Sequence, residues 1–70
     1  MDFKEILYSV EEGVATITLN RPQKLNAFSR QMGGETREAI LQVRDDPQVK
    51  VLVISGSGRA FSAGASVKDL

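Results

Sequence analysis

The sequence predicts an α/β fold made of a β-hairpin, one helix and a buried parallel strand, followed by a glycine-rich turn. Three observations carry that prediction. Residues 14–19 alternate with the period of a half-buried strand. From Ser29, apolar or small side chains recur at spacings of three and four, and Val51-Leu52-Val53-Ile54 is an uninterrupted aliphatic run. A strand, a helix and a second buried strand in that order form a crossover unit, in which the second strand returns parallel to the first.

Each element has its own local signals. Phe3 to Val10 reads as the first strand, with Ile6, Tyr8 and Val10 on one face. Glu12-Gly13 marks a tight turn, glycine supplying the positive φ that most residues avoid. Val14 to Leu19 follows as the second arm of a hairpin, Ala15, Ile17 and Leu19 facing one way and Val14, Thr16 and Thr18 the other. Asn20-Arg21-Pro22 breaks the strand, because proline cannot donate to a ladder and restricts the residue before it. After a polar loop to Asn26, Ser29 is an N-cap candidate, and Met32, Thr36, Ala39, Ile40 and Val43 share one helical face.

Gly33-Gly34 disagrees with that helix, since each internal glycine costs about 1 kcal/mol relative to alanine. Either another element packs closely there or the helix begins after Ser29. Asp45-Asp46-Pro47 ends it, and Val49 to Ser55 is expected to be a strand buried on both faces.

Seventy residues without cysteine or histidine exclude disulfides and the commonest zinc ligands. A chain this short buries only about 60% of its unfolded surface, so burial from outside it is expected to complete the core. Nine basic and nine acidic residues cancel and are scattered, leaving no basic stripe for nucleic acid or anionic lipid. The longest aliphatic run is too short to span a bilayer, and no signal-peptide pattern opens the chain. A soluble protein of the cytoplasm or an organelle matrix is the expectation, with neither nucleic acid nor membrane as partner.

The closing stretch, GSGRAFSAGASVKDL at 56–70, admits three readings. A dinucleotide fingerprint fails because Phe61 stands where the third glycine belongs, and a P-loop fails because Ala65 follows Gly64. Ala60-Phe61-Ser62-Ala63-Gly64 is one substitution from a nucleophile elbow with Ser62 as nucleophile, but the chain holds no histidine to act as its base. The third reading uses the backbone. Ser66-Val67-Lys68-Asp69 matches a helix-start pattern with Ser66 as N-cap, which would set N–H donors beside Ala65 where negative charge is stabilised. On these residues alone an oxyanion site and a plain surface turn both stay open.

Two stretches, GVATITLNRPQKLNAFSRQM at 13–32 and VKVLVISGSGRAFSAGASVKDL at 49–70, resemble the crotonase, or enoyl-CoA hydratase/isomerase, superfamily. The resemblance spans nearly the whole chain, in the right order, and implies the N-terminal part of a crotonase-like fold. It implies that Ala65 offers a backbone N–H to the oxyanion hole that polarises an acyl-CoA thioester. It further implies that the Ala63 carbonyl contacts the adenine amino group and that Lys68 lies near the nucleotide end of coenzyme A. Lys24 and Ala27, in KLNA, match the loop on the other side of the CoA channel, and Ser66 and Val67 complete the CoA-facing set. The coenzyme A thioester is then the substrate, no covalently bound cofactor is implied, and a homo-oligomer (trimer or hexamer) is expected.

Without the resemblance, Lys24, Lys68, Arg21 and Arg59 read as solvated charges, Asn26 as a turn residue bonding its own backbone, and Phe28 and Phe61 as core or loop anchors. The sequence also departs from the family pattern. Ser66 replaces a usual aspartate, and Gly33-Gly34 replaces leucine-type helix residues. Residues 1–70 are expected to be a single partial domain that stops at the start of the helix after the turn. The second oxyanion donor and the catalytic glutamates would lie outside it. None of Glu5, Glu11, Glu12, Glu35 and Glu38 matches a catalytic position, so the isolated chain is expected to be inactive. A non-catalytic binding or assembly module is the competing expectation.

Overall fold

The structure is a computed structural model in which residues 3–64 are described. Three strands form one sheet in the order β1-β2-β3, with β1 at Ile6–Glu11, β2 at Val14–Leu19 and β3 at Val51–Gly56. Helix α1, Arg30–Asp45, crosses between β2 and β3. β1 and β2 pair antiparallel from Ile6↔Leu19 to Glu11↔Val14, joined by a two-residue turn. Glu12 (φ 52°) and Gly13 (φ 81°) both lie in the left-handed region, as the hairpin turn that matches strand twist requires. β3 runs parallel to β2 from Val14↔Val51 to Leu19↔Gly56.

The expected alternation of β2 holds: Ala15, Ile17 and Leu19 are fully buried. They face α1, and Ile6, Ile17, Leu19, Met32 and Ala39 form the core cluster, with Phe3, Tyr8, Phe28 and Leu52 packed at its margin. The rings of Phe3 and Tyr8 meet edge to face, centroids 6.3 Å apart. Ser29 caps the helix as its sequence position suggests, its Oγ accepting from the Met32 N–H at 3.0 Å.

Four expectations need correction. β1 begins at Ile6 and not at Phe3, because α1 supplies a different acceptor for the backbone ahead of it. The Glu35 carboxylate accepts from the N–H groups of Lys4 (3.0 Å), Glu5 (2.8 Å) and Ile6 (3.2 Å), so a side chain does there what a ladder would have done. The Gly33-Gly34 dilemma resolves in neither direction: the helix runs through both residues, and a Cβ at either would meet nothing within 4 Å. Ile40, expected on one helical face with Met32 and Ala39, is 41% exposed where they are fully buried.

The largest correction concerns β3. Val51, Val53 and Ile54 are 53%, 42% and 40% exposed, so the strand is not buried on both faces among the described residues. The register explains which way each points. Val51 and Val53 lie beside Val14 and Thr16 on the face opposite α1, while Ile54 pairs with Ile17 on the helix side but at the sheet edge. One helix covers the middle of one face, and only Leu52 of β3 reaches the core margin.

Two measurements follow. Gly33→Ala and Gly34→Ala should each stabilise the chain by about 0.5–1 kcal/mol, since alanine gains helix propensity and meets no steric cost, and urea unfolding reads the change in midpoint. The second concerns acid. Partial burial pushes the Glu35 carboxyl up, but hydrogen bonds from Gln31 and from the backbone of Glu5, Lys4 and Ile6 together hold it below the ordinary glutamate range. A lowered folded-state value means this contribution is complete above the unfolded value of about 4.3 and is lost as pH falls through the lower folded value. Glu35→Gln should therefore cost about 1 kcal/mol at pH 7, after allowance for solvent screening, and progressively less at a second, acidic pH taken below the unfolded value. Equal losses at both pH values would contradict that linkage.

Candidate functional site

Because β2 and β3 are parallel and in register at Leu19↔Gly56, their carboxyl ends finish level with one another. The segments leaving them, residues 20–28 and 57–64, therefore meet at one end of the sheet, the usual place for a ligand site in a parallel sheet. Steric limits shape both. A Cβ on Gly56 would lie 2.4 Å from the Phe61 carbonyl oxygen and 2.5 Å from that of Ala60, so the chain can fold back at that point only with glycine. Gly58 (φ 78°) packs against Pro22, where a Cβ would come within 2.9 Å of the ring.

The first segment opens with a 3-10 turn at Pro22–Lys24 and then enters the left-handed region twice in succession, at Leu25 (φ 52°) and Asn26 (φ 55°). Asparagine tolerates that conformation and leucine rarely adopts it, so something must hold the pair there. The hydrogen bonds show what does. Asn26 is fully buried; its Oδ1 accepts from the Arg21 N–H at 2.7 Å, and its Nδ2 donates to the carbonyls of Ser57 and Ala60, both at 2.9 Å. Both polar atoms of one side chain are thus engaged, Nδ2 tying the two segments together and Oδ1 closing the loop of its own segment.

Backbone groups extend the seam. The Ala63 N–H donates to the Leu25 carbonyl at 2.9 Å, and the Phe28 N–H donates to the Gly64 carbonyl at 2.8 Å. Ser57 adds its N–H to the Leu19 carbonyl and its hydroxyl to Asn20 Oδ1, each at 2.9 Å. Ser62 Oγ donates to the Asn26 carbonyl at 2.9 Å and accepts from the Gly64 N–H at 3.1 Å. With its proton committed to a carbonyl and no histidine in the chain, Ser62 has the geometry of a turn-closing hydroxyl and not of a nucleophile aligned with a base.

Of the residues expected at a site, the structure brings three together. Lys24 and Ala27 lie on the first segment, Lys24 exposed and Ala27 half-buried, and Ala63 is exposed on the second, bonded to Leu25 between them. Ala65, Ser66, Val67 and Lys68 lie outside the described residues.

Arg21 is not the solvated charge expected of it. Its Nη1 donates to the Ala27 carbonyl at 2.6 Å, its Nε lies 3.8 Å from the Glu5 carboxylate, and the side chain is only 18% exposed. Glu5 also accepts from the Ser29 hydroxyl, so these contacts tie the loop to the start of the helix. Arg59 is exposed and Phe28 packs on the core margin, both as expected, whereas Phe61 is 58% exposed and does not join the core cluster.

Residues 9–70 match the family model described as enoyl-CoA hydratase/isomerase. The chain belongs to the enoyl-CoA hydratase/isomerase family. It is 44% identical over 70 residues to a trans-2-decenoyl-[acyl-carrier-protein] isomerase of Streptococcus mutans, covering 100% of this chain and 27% of that protein. A crotonyl-CoA hydratase of Syntrophomonas wolfei is 38% identical over 68 residues, covering 96% of this chain and 26% of that one. Among solved structures, an enoyl-CoA hydratase/isomerase from Mycobacterium paratuberculosis superposes with a TM-score of 0.92 at 48% identity, over 96% of this chain and 26% of that chain. The chain thus spans about a quarter of the length of these relatives. The fold is a partial α/β unit of the crotonase type, and no helix among the described residues is long and apolar enough to cross a membrane.

Within this enoyl-CoA hydratase/isomerase segment, Asn26 and Gly56 organise the site end without having stood out in the sequence as site residues. An asparagine after a polar loop and a glycine after a strand each have commoner explanations. Their roles depend on partners thirty or more residues away for Asn26 and on the fold-back for Gly56. Gly56→Ala should cost more than about 1 kcal/mol, because the clash is with backbone, and should abolish protection of the Ala63 amide from solvent exchange. An unchanged unfolding midpoint and unchanged Ala63 exchange would show that the turn re-forms around the added methyl.

Proposed function

We propose that this chain is the CoA-facing portion of an enoyl-CoA hydratase/isomerase-type enzyme, and that it contributes the backbone N–H of Ala65 as one donor of an oxyanion hole. The observation that carries the reading is the hydrogen bond from the Phe28 N–H to the Gly64 carbonyl, 2.8 Å long. A carbonyl and the N–H of the following residue belong to one planar trans peptide and point in opposite directions. Anchoring the Gly64 carbonyl on the first segment therefore fixes the last described peptide before position 65, the end of the turn that this reading requires to be held.

The chemistry asked of such a donor is specific. Proton removal or nucleophilic addition beside a thioester carbonyl moves negative charge onto oxygen, giving an enolate-like intermediate. A fixed N–H stabilises that charge most as it develops and needs no reorganisation to do so. Loss of one donor of this kind costs roughly 10²–10³ in kcat. In the same reading Lys24 and Ala27 line one wall of the CoA channel, and the Ala63 carbonyl meets the adenine amino group. Ser66, Val67 and Lys68 complete the proposed CoA-binding set, with Lys68 assigned to the nucleotide end. An acyl-CoA is the substrate, and the acid–base carboxylates are supplied from outside these seventy residues.

A second reading, docking as a non-catalytic module, is favoured by the exposed aliphatics of β3. One chimera separates the two. The segment of the crotonyl-CoA hydratase that aligns with this chain is replaced by this chain, and loss of enoyl absorbance from crotonyl-CoA is followed. Turnover within about tenfold of the parent hydratase is expected, while residues 1–70 alone should show none above a protein-free control. A folded chimera without activity would favour the docking module; turnover by the chain alone would refute the need for outside carboxylates.

A further inference from the structure

We propose that Asn26 is a positioning residue for the oxyanion turn: its side-chain amide sets where the segment after Gly56 presents its backbone donor. The inference rests on the functional reading above for its catalytic consequence, but its structural part stands on the seam itself. The two Nδ2 hydrogens go to carbonyls three residues apart on one turn, Ser57 and Ala60, and the single Oδ1 is held by the Arg21 N–H. The side chain is therefore fixed at both ends, and it is fully buried, so water does not compete for its bonds.

The backbone of the same residue closes a second ring. The consecutive left-handed residues Leu25 and Asn26 direct two successive carbonyls at the turn, one taken by the Ala63 N–H and the other by Ser62 Oγ. Ser62 Oγ in turn accepts from the Gly64 N–H. Ser62 and Ala63 are thus bonded directly to Asn26 and Leu25 and the Gly64 N–H reaches Asn26 through Ser62, while the Gly64 carbonyl is held by Phe28. Reaction rates fall steeply when a donor is displaced, and a shift of about 1 Å can cost on the order of 10²-fold. A residue that never touches substrate can therefore control rate through this turn.

The experiment has two arms. In the chain itself, Asn26→Ala and the isosteric Asn26→Asp, which keeps the acceptor and loses both donors, are compared by amide hydrogen exchange. Protection should drop at Ala63 while the paired amides of β1 and β2 keep theirs. In the crotonyl-CoA hydratase chimera, both variants should lower kcat by about 10–100-fold with KM changed less than threefold, measured well below the unfolding temperature. Should Asn26→Ala fail to fold, Asn26→Asp and Ser62→Ala carry the comparison, the latter removing the Ser62 link from the other side. Unchanged kcat in an active chimera would overturn the proposal, as would kcat and KM failing together in step with lost stability, or unaltered exchange at Ala63. An inactive chimera carrying the native segment would instead reject the functional reading. The exchange arm would then still decide whether Asn26 holds the turn.

Discussion

The interaction on which the rest of this structure depends is the pair of hydrogen bonds from Asn26 Nδ2 to the carbonyls of Ser57 and Ala60. Parallel pairing of β2 with β3 brings two loop entries to the same level, but pairing alone does not join them, since the ladder ends at Leu19↔Gly56. Beyond that rung the chain has left regular structure and its backbone groups need other partners. A buried carboxamide is well suited to supply them because it donates twice and accepts once from a rigid plane. With Asn26 in place, the Ser57, Ser62, Ala63 and Gly64 contacts extend the sheet's order into the turn.

That arrangement is held against a local cost. Of the two successive residues at positive φ, Leu25 costs about 1–3 kcal/mol relative to relaxed backbone, while asparagine at position 26 tolerates the conformation at less cost. The strain is over-determined by its surroundings: Leu25 and Asn26 each have the carbonyl engaged, the Leu25 N–H donates to the Pro22 carbonyl at 3.0 Å, and the Asn26 N–H donates to the Arg21 carbonyl at 2.8 Å. Strained backbone held in this way clusters at functional sites, where a fixed geometry matters more than a relaxed one. The strained pair stands at the one end of the sheet where both loops converge, and the hairpin at the other end uses a glycine and a single non-glycine residue for a similar reversal.

How much was legible in the sequence follows from the range of the interactions involved. Local patterning was readable: the hairpin turn, the alternation of β2, the Ser29 cap and the end of α1 all depend on neighbours within a few residues. The parallel return of β3 was also readable, because an aliphatic strand after a helix has few topological choices. The roles of Arg21, Asn26, Glu35 and Gly56 were not. Glu35 binds backbone about thirty residues back, and Asn26 binds carbonyls more than thirty residues ahead. A polar residue on a loop or helix surface gives no local sign that its partner is a distant main-chain group. The exposure of β3 was missed for a related reason: a run of aliphatics states that burial is needed, not which element provides it.

The same distinction bears on how the family's segment works as a unit. β3 has its pairing partner on one side and leaves Val51, Val53 and Ile54 largely uncovered, while the turn that follows it is bonded to the first segment through Ser57, Ala60, Ser62, Ala63 and Gly64. The site end is therefore held by directional bonds from this chain's own groups, whereas the strand that leads into it lacks apolar cover. Hydrogen bonds are directional and must be met locally, whereas apolar faces accept any well-packed cover. A chain spanning a quarter of its relatives can in this way hold the seam between its two loop segments with its own groups while its edge strand lacks apolar cover. Placement of the turn and burial of the strand are then separable properties, the first tied to Asn26 and its partners and the second to apolar cover for β3.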